Sequence, residues 1–232
     1  TVSYTGADGT EHGLAVYLPA GYDADRTEPY KVLYLSHGNS GDTYGNELRW
    51  MNEGTVANIL DNLIAEGKTE PFIVVTMNNQ QYKWKYSEIE TDQINYIMPY
   101  VESHYNVSTT AEGRAYAGLS MGGATTSNML MHHTELFSYY GIWSYANVNG
   151  AVGGAEGITS QSVRNHLSSL TVKPKIMLAA GNWDFGLAPV KTFGENLSEL
   201  GLDYSYLQVP AAHDWECWQL IFANAAENFL WK

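Results

Sequence analysis

Short apolar runs alternate with stretches whose apolar residues recur at helical spacing, an order that predicts an α/β chain: a mostly parallel central sheet with helices on both faces. Leu14–Leu18 alternates with period two, and Val32–Leu35 is a continuous apolar run that breaks at Ser36-His37-Gly38, as a buried central strand would. Thr55–Ala65 carries Val56, Ile59, Leu60 and Leu63 on one helical face and stops at Gly67, a natural C-terminal cap. Phe72–Met77 reads as the next strand. Ser87-Glu88-Ile89-Glu90 has the form of a capping box, followed by Ile94, Ile97, Met98 and Val101, so a helix is expected there despite Pro99. Further strands are expected at Arg114–Leu119, Phe137–Trp143, Lys175–Ala179 and Tyr204–Val209. Helices are expected after Ser120 up to Met131, near Ser162–Leu170, at Val190–Leu200 and from Trp215.

Composition narrows the picture. The 232 residues are 44% hydrophobic and 13% aromatic, enough for one globular domain over 1–232 with a sizeable core, and too apolar for a disordered chain. The 12 Lys+Arg against 25 Asp+Glu give a net charge of −13, without a basic cluster, which argues against nucleic acid and anionic membranes as partners. No apolar run is long enough to span a bilayer. The single cysteine, Cys217, excludes an intrachain disulfide and a cysteine-based metal site, and is expected to be a small buried hydrophobe. The chain opens at Thr1 without an initiator Met, consistent with secretion or with a module of a larger enzyme.

The strongest chemical signal is Gly118-Leu119-Ser120-Met121-Gly122, a Gly-x-Ser-x-Gly element between a predicted strand and a predicted helix. Glycines on both flanks allow a tight turn that presents the serine hydroxyl above the sheet, while the helix start leaves the Met121 N–H free for an oxyanion. A serine hydroxyl needs a base and a carboxylate to orient that base. Among seven histidines, His213 follows the last predicted strand in a loop opening onto a helix, the best placement for a base. His166 falls within an amphipathic helix, His132 and His133 at a helix end, and His37 before the elbow, where supporting roles fit better. Asp184 lies at the carboxyl end of a strand, as Ser120 does, and is the favoured acid, with Asp203 and Asp214 as alternatives. The backbone N–H of Asn39, in His37-Gly38-Asn39-Ser40-Gly41, is the candidate second oxyanion donor. Trp183 and Trp143, both near the carboxyl edge of the sheet, are candidate substrate-stacking residues, whereas Trp215, Trp218 and Trp231 read as packing residues. The loop Asn78–Trp84 reads either as a reader of sugar hydroxyls or as solvated surface. The glycines at 150, 153, 154 and 157 lack a following Gly-Lys-Ser/Thr, so a surface loop or lid is expected rather than a phosphate site. Asn106 and Asn196 stand in glycosylation sequons, which matter only in a eukaryotic secretory host.

Together, Ser36-His37-Gly38, Gly118 through Gly123, Gly181-Asn182-Trp183-Asp184 and His213-Asp214-Trp215 through Trp218 resemble the esterase-D-like branch of the α/β-hydrolases, most closely the family 1 carbohydrate esterases. The resemblance spans nearly the whole chain. It implies an α/β-hydrolase fold with no large cap domain, with Ser120, Asp184 and His213 as nucleophile, acid and base, Asn39 and Met121 as oxyanion donors, and no metal or organic cofactor. It further implies a secreted serine esterase acting on feruloylated or acetylated xylan or its oligosaccharides. An acetylxylan esterase, a peptidase or thioesterase, and a carbohydrate-binding protein on a retired hydrolase scaffold are the alternatives.

Overall fold

The computed structural model describes residues 1–232. Eight strands form one sheet: β1 (Val2–Thr5), β2 (Glu11–Tyr17), β3 (Val32–Ser36), β4 (Ile73–Met77), β5 (Arg114–Leu119), β6 (Tyr139–Trp143), β7 (Lys175–Gly181) and β8 (Ser205–Val209). Their order is β1-β2-β4-β3-β5-β6-β7-β8. Only β1 with β2 and β2 with β4 pair antiparallel, so the sheet is mostly parallel, as the alternation of elements predicts. The helices are α1 (Arg49–Asn52), α2 (Val56–Ala65), α3 (Tyr86–Asp92), α4 (Met98–His104), α5 (Met121–His132), α6 (Gln161–Ser168), α7 (Leu187–Glu199) and α8 (Trp215–Asn228).

Two hydrophobic clusters sandwich the sheet, and successive strand residues alternate between them. Val32 and Tyr34 of β3, Tyr116 of β5 and Leu178 of β7 join Val101, Met129, Val163 and Phe193 on the face of α4 to α7. Leu33, Leu35, Ala117, Leu119 and Met177 join Trp50, Leu60, Ile221 and Phe222 on the face of α1, α2 and α8. All residues of β3, β4 and β5 are buried, which is why Val32–Leu35 reads as a continuous apolar run. Helix α2 ends as its sequence predicts. Gly67 takes φ 69, its N–H bonds to Ile64 O, and the Lys68 N–H reaches back to Leu63 O, a Schellman closure.

Three details depart from expectation. The predicted capping box does not form: α3 starts one residue before Ser87, its N-cap is Lys85 without a side-chain cap bond, and Lys85 pairs with Glu88 instead. Between α3 and α4 the backbone widens into a π turn over Gln93–Ile97. Pro99 supplies no N–H and its ring crowds the carbonyl four residues back, and the wider turn directly before α4 lets the chain stay helical through it. Strand β1 was not legible as a strand; it is fastened from outside, by Asp92, which accepts from Tyr4 Oη and from the Ala7 N–H. No helix is long and apolar enough to cross a membrane.

Candidate active site

Ser120 links β5 to α5 at φ 53, ψ −119, a conformation that L-residues rarely take. The flanking glycines make it possible. A Cβ at Gly118 would lie 2.6 Å from the Gly122 carbonyl, one at Gly122 would lie 2.5 Å from the carbonyl oxygens of Ser36 and His37, and one at Gly123 would lie 2.4 Å from Trp143 O. The Ser120 N–H is itself tied to Trp143 O at 2.9 Å. Met121 is the first residue of α5, so no carbonyl one turn back within the helix accepts its N–H.

His213 lies between β8 and α8. Its Nε2 is 3.0 Å from Ser120 Oγ and its Nδ1 is 2.7 Å from Asp184 Oδ1. A carboxylate only accepts, so Nδ1 carries the hydrogen and Nε2 is left to accept from the serine hydroxyl. Asp184, on the turn after β7, is buried, and its Oδ1 also accepts the Gly186 N–H at 2.7 Å. Burial disfavours the ionised carboxyl, but the hydrogen bond from His213, the neighbouring Ser144 hydroxyl and the Gly186 N–H outweigh it and hold Asp184 below the ordinary carboxylate value.

The structure separates the alternative acids from this group. Asp214 caps α8 by accepting the Cys217 N–H at 3.0 Å, and Asp203 is exposed in the turn before β8. His37 is fully buried, with Nδ1 2.5 Å from the Gly38 carbonyl oxygen, and burial pulls its pKa down to about 4, so it braces the loop as a neutral ring. His132 and His166 line a cavity of about 180 Å³ with Glu156, away from Ser120. The loop carrying Asn39 does reach the nucleophile: a Cβ at Gly38 would lie 3.0 Å from Ser120 Cβ. Asn39 itself is exposed.

Trp143 is a correction. It does end a strand beside the elbow, but its indole is fully buried against Trp50, with ring centroids 6.0 Å apart, and it cannot meet a substrate. In the two-residue alternation of the sheet, position 143 shares the inward face of Leu119, so only its carbonyl is turned to the site. Trp183 is 72% exposed, as an accessible stacking residue must be. Phe185 was missed by sequence reasoning: it is 68% exposed and its ring lies 3.9 Å from the His213 ring. Its position one residue after the favoured acid was the only available signal. The amide-rich loop is mostly internal bracing. Asn78 Nδ2 donates to Thr43 O, Asn79 Nδ2 donates to Ser36 Oγ, and Gln80 accepts from the buried Trp84 indole. These bonds tie the loop after β4 to the end of β3. Cys217 is buried and burial pushes its thiol up to about 12, so it packs as an inert hydrophobe.

The family described as "Putative esterase" matches residues 6–229. The chain belongs to this esterase family. An endo-1,4-beta-xylanase/feruloyl esterase of Xylanibacter ruminicola is 37% identical over 141 residues, which are 56% of this chain and 19% of that protein. Endo-1,4-beta-xylanase Y of Acetivibrio thermocellus is 33% identical over 151 residues, 60% of this chain and 13% of that protein. The chain thus corresponds to a small part of each of these relatives. Among solved structures, the ferulic acid esterase of the anaerobic fungus Anaeromyces mucronatus superposes with a TM-score of 0.82 at 25% identity, covering 98% of this chain and 88% of that one. The α/β-hydrolase fold expected from the motifs is the fold of these esterases.

Proposed function

We propose that the chain is a serine carboxylesterase that releases ferulate or related cinnamates from plant cell-wall xylan through an acyl-enzyme. The observation that carries this is the continuous array Ser120 Oγ, His213 Nε2, His213 Nδ1, Asp184 Oδ1, with spacings of 3.0 and 2.7 Å, set on a strained elbow. His213 takes the Ser120 proton as Oγ attacks the ester carbonyl, and the negative charge that develops is received by the backbone N–H groups of Met121 and Asn39. His213 then returns the proton to the departing sugar alcohol. Water, deprotonated in the same way, hydrolyses the acyl-enzyme and frees Ser120.

Two features support a cinnamoyl substrate. Trp183 and Phe185, the residues directly before and after Asp184 in the sequence, are exposed aromatics, and Phe185 lies against the base, where an aromatic acyl group would stack. The named activity of the Xylanibacter relative and of the Anaeromyces structure agrees with that choice. A polar depression of about 280 Å³, lined by Ser40, Asp42, Tyr44, Asn46, Arg49 and Asn52, continues from the Asn39 loop and suits the hydroxyls of the leaving sugar. The acidic surface is compatible with a mostly neutral polysaccharide, and a polymeric substrate of that kind supports the reading of a secreted enzyme.

Kinetics on methyl ferulate, feruloylated arabinoxylan fragments and acetylated xylan test the proposal. Higher kcat/KM on the feruloyl esters is expected, with Ser120→Ala lowering kcat by about 10⁴-fold or more in a folded protein. Preference for acetylated xylan would replace ferulate by acetate, and cleavage of peptide esters without ferulate release would move the chain to the peptidases. Saturable xylan binding with no reaction at a serine-directed phosphonate would make it a binding protein.

A further inference from the structure

Ser144, the residue directly after β6, is fully buried and sits at φ 57, in the left-handed region that costs a serine more than a glycine. Its main chain fits tightly: the N–H donates to Ala179 O at 2.8 Å, and a Cβ placed on Gly186 would come within 1.7 Å of Ser144 O. The turn that carries Asp184 therefore rests on Ser144. Backbone geometry alone would favour glycine here, so the hydroxyl needs its own reason.

That hydroxyl is held by the last helix. Trp218 Nε1 donates to Ser144 Oγ at 2.9 Å, with both side chains buried. The same indole stands edge-on to His213, with ring centroids 5.1 Å apart at 87°. Because Trp218 is the donor in that bond, Ser144 keeps its own hydrogen to give. One strong acceptor nearby is unclaimed: Asp184 Oδ2 is buried and has no hydrogen-bond partner, while Oδ1 serves both His213 and Gly186. The Cys217 thiol also approaches Ser144, but a neutral sulfur is a weak acceptor beside a carboxylate oxygen. A buried carboxylate oxygen left unpaired is costly, and the neighbouring Ser144 hydroxyl, which favours the ionised form of Asp184, relieves it once a small side-chain shift brings the two oxygens into bonding geometry.

We propose that Ser144 and Trp218 are positioning residues for the triad: Trp218 orients the Ser144 hydroxyl, which donates to Asp184 Oδ2 and holds the carboxylate fixed and ionised while His213 gains its proton. The inference rests on the roles given to Ser120, His213 and Asp184 under the proposed function. It extends the hydrogen-bonded line from the serine through the base and acid to the core of α8. It also gives the tryptophan three residues into that helix a task beyond packing.

Turnover of p-nitrophenyl acetate tests this independently of acyl preference. Ser144→Gly suits the local φ and should keep or raise the melting temperature, so a purely structural serine would be replaced without loss. The positioning role instead predicts a fall in kcat of about tenfold to a hundredfold, the range for a lost hydrogen bond to a charged group. KM should change little, and the acid side of the kcat/KM profile should change, because the carboxylate facing the base has lost a donor. Trp218→Phe keeps most of the ring and removes the donor; it should show the same changes, smaller in size, and decides the matter if Ser144→Gly does not fold. A folded Ser144→Gly, or in its place Trp218→Phe, with kcat within about twofold of wild type and an unmoved acid limb overturns the proposal, since a hydrogen bond to charge is worth more than that. Ser120→Ala in the same assay separates the two levels: retained turnover there sinks the triad itself, whereas its loss beside an active Ser144→Gly sinks only the positioning role.

Discussion

Replacing Asp184 by asparagine isolates what the carboxylate charge contributes. Oδ1 receives two hydrogens, from His213 Nδ1 and Gly186 N, each at 2.7 Å. Two donors aimed at one point force the asparagine to put its carbonyl oxygen there, because its amide nitrogen would meet both head-on. The histidine tautomer is thereby retained, and the loss is the charge that stabilises an imidazolium. Two unit charges about 4 Å apart at an effective dielectric of about 20 interact by about 4 kcal/mol. At about 1.4 kcal/mol per decade, kcat should fall about 10³-fold. This is less than the roughly 10⁴-fold loss seen where asparagine imposes the wrong tautomer on a triad of this kind. The assay is p-nitrophenyl acetate turnover with Ser120→Ala as baseline, alongside thermal melting to show that Asp184→Asn is folded. A fall smaller than about tenfold refutes the electrostatic argument. A fall all the way to the Ser120→Ala residual refutes the retained tautomer.

Three further outcomes follow from named contacts. Burial holds His37 near pKa 4 against an ordinary 6.5, so the unfolded chain takes up a proton that the folded one refuses; stability is full above 6.5 and declines as pH falls towards 4, by about 3 kcal/mol in all. Urea midpoints at pH 7 and pH 4.5 should differ less in His37→Gln than in wild type, and an undiminished difference would count against the buried neutral ring. Gly122→Ala drives a Cβ to 2.5 Å from two carbonyl oxygens that cannot yield, and should lower the melting temperature by at least about 6 °C; a melt within a degree of wild type would mean the elbow has room. Phe185→Ala and Trp183→Ala should each raise KM for methyl ferulate about fivefold and more than for p-nitrophenyl acetate, as expected for one lost aromatic contact, and an equal effect on both esters would argue against stacking.

What could be read from the sequence divides along a physical line. The elbow, the Gly67 helix stop and the central strands were legible because their causes are local: a left-handed residue, a glycine where a Cβ has no space, or an apolar run buried on both faces. Features with distant causes were not. Strand β1 depends on Asp92, eighty-eight residues from Tyr4, and the failed capping box lost to a helix that begins one residue earlier and runs on through a π turn into Pro99. Trp143 shows the limit most clearly. Its place at the end of β6 is a local property, but the side to which its indole turns is set by the phase of the whole sheet, and that phase sends the ring to Trp50 and the carbonyl to Ser120.

The same division explains why the sequence pointed to Ser120, Asp184 and His213, which the fold brings together, and not to their neighbours Phe185 and Ser144. Ser120, Asp184 and His213 each follow the carboxyl end of a parallel strand, so the topology alone gathers them over one edge of the sheet. Phe185 and Ser144 act through contacts that exist only once the turn after β7 has folded against the end of β6. Such residues carry no motif of their own. In Ser144 the backbone nevertheless leaves a mark, since a serine held at positive φ, where glycine would be easier, indicates that its hydroxyl is in use. Trp218 gives that use a direction, because the indole can only donate, and so the hydrogen of Ser144 is turned towards the acid of the triad.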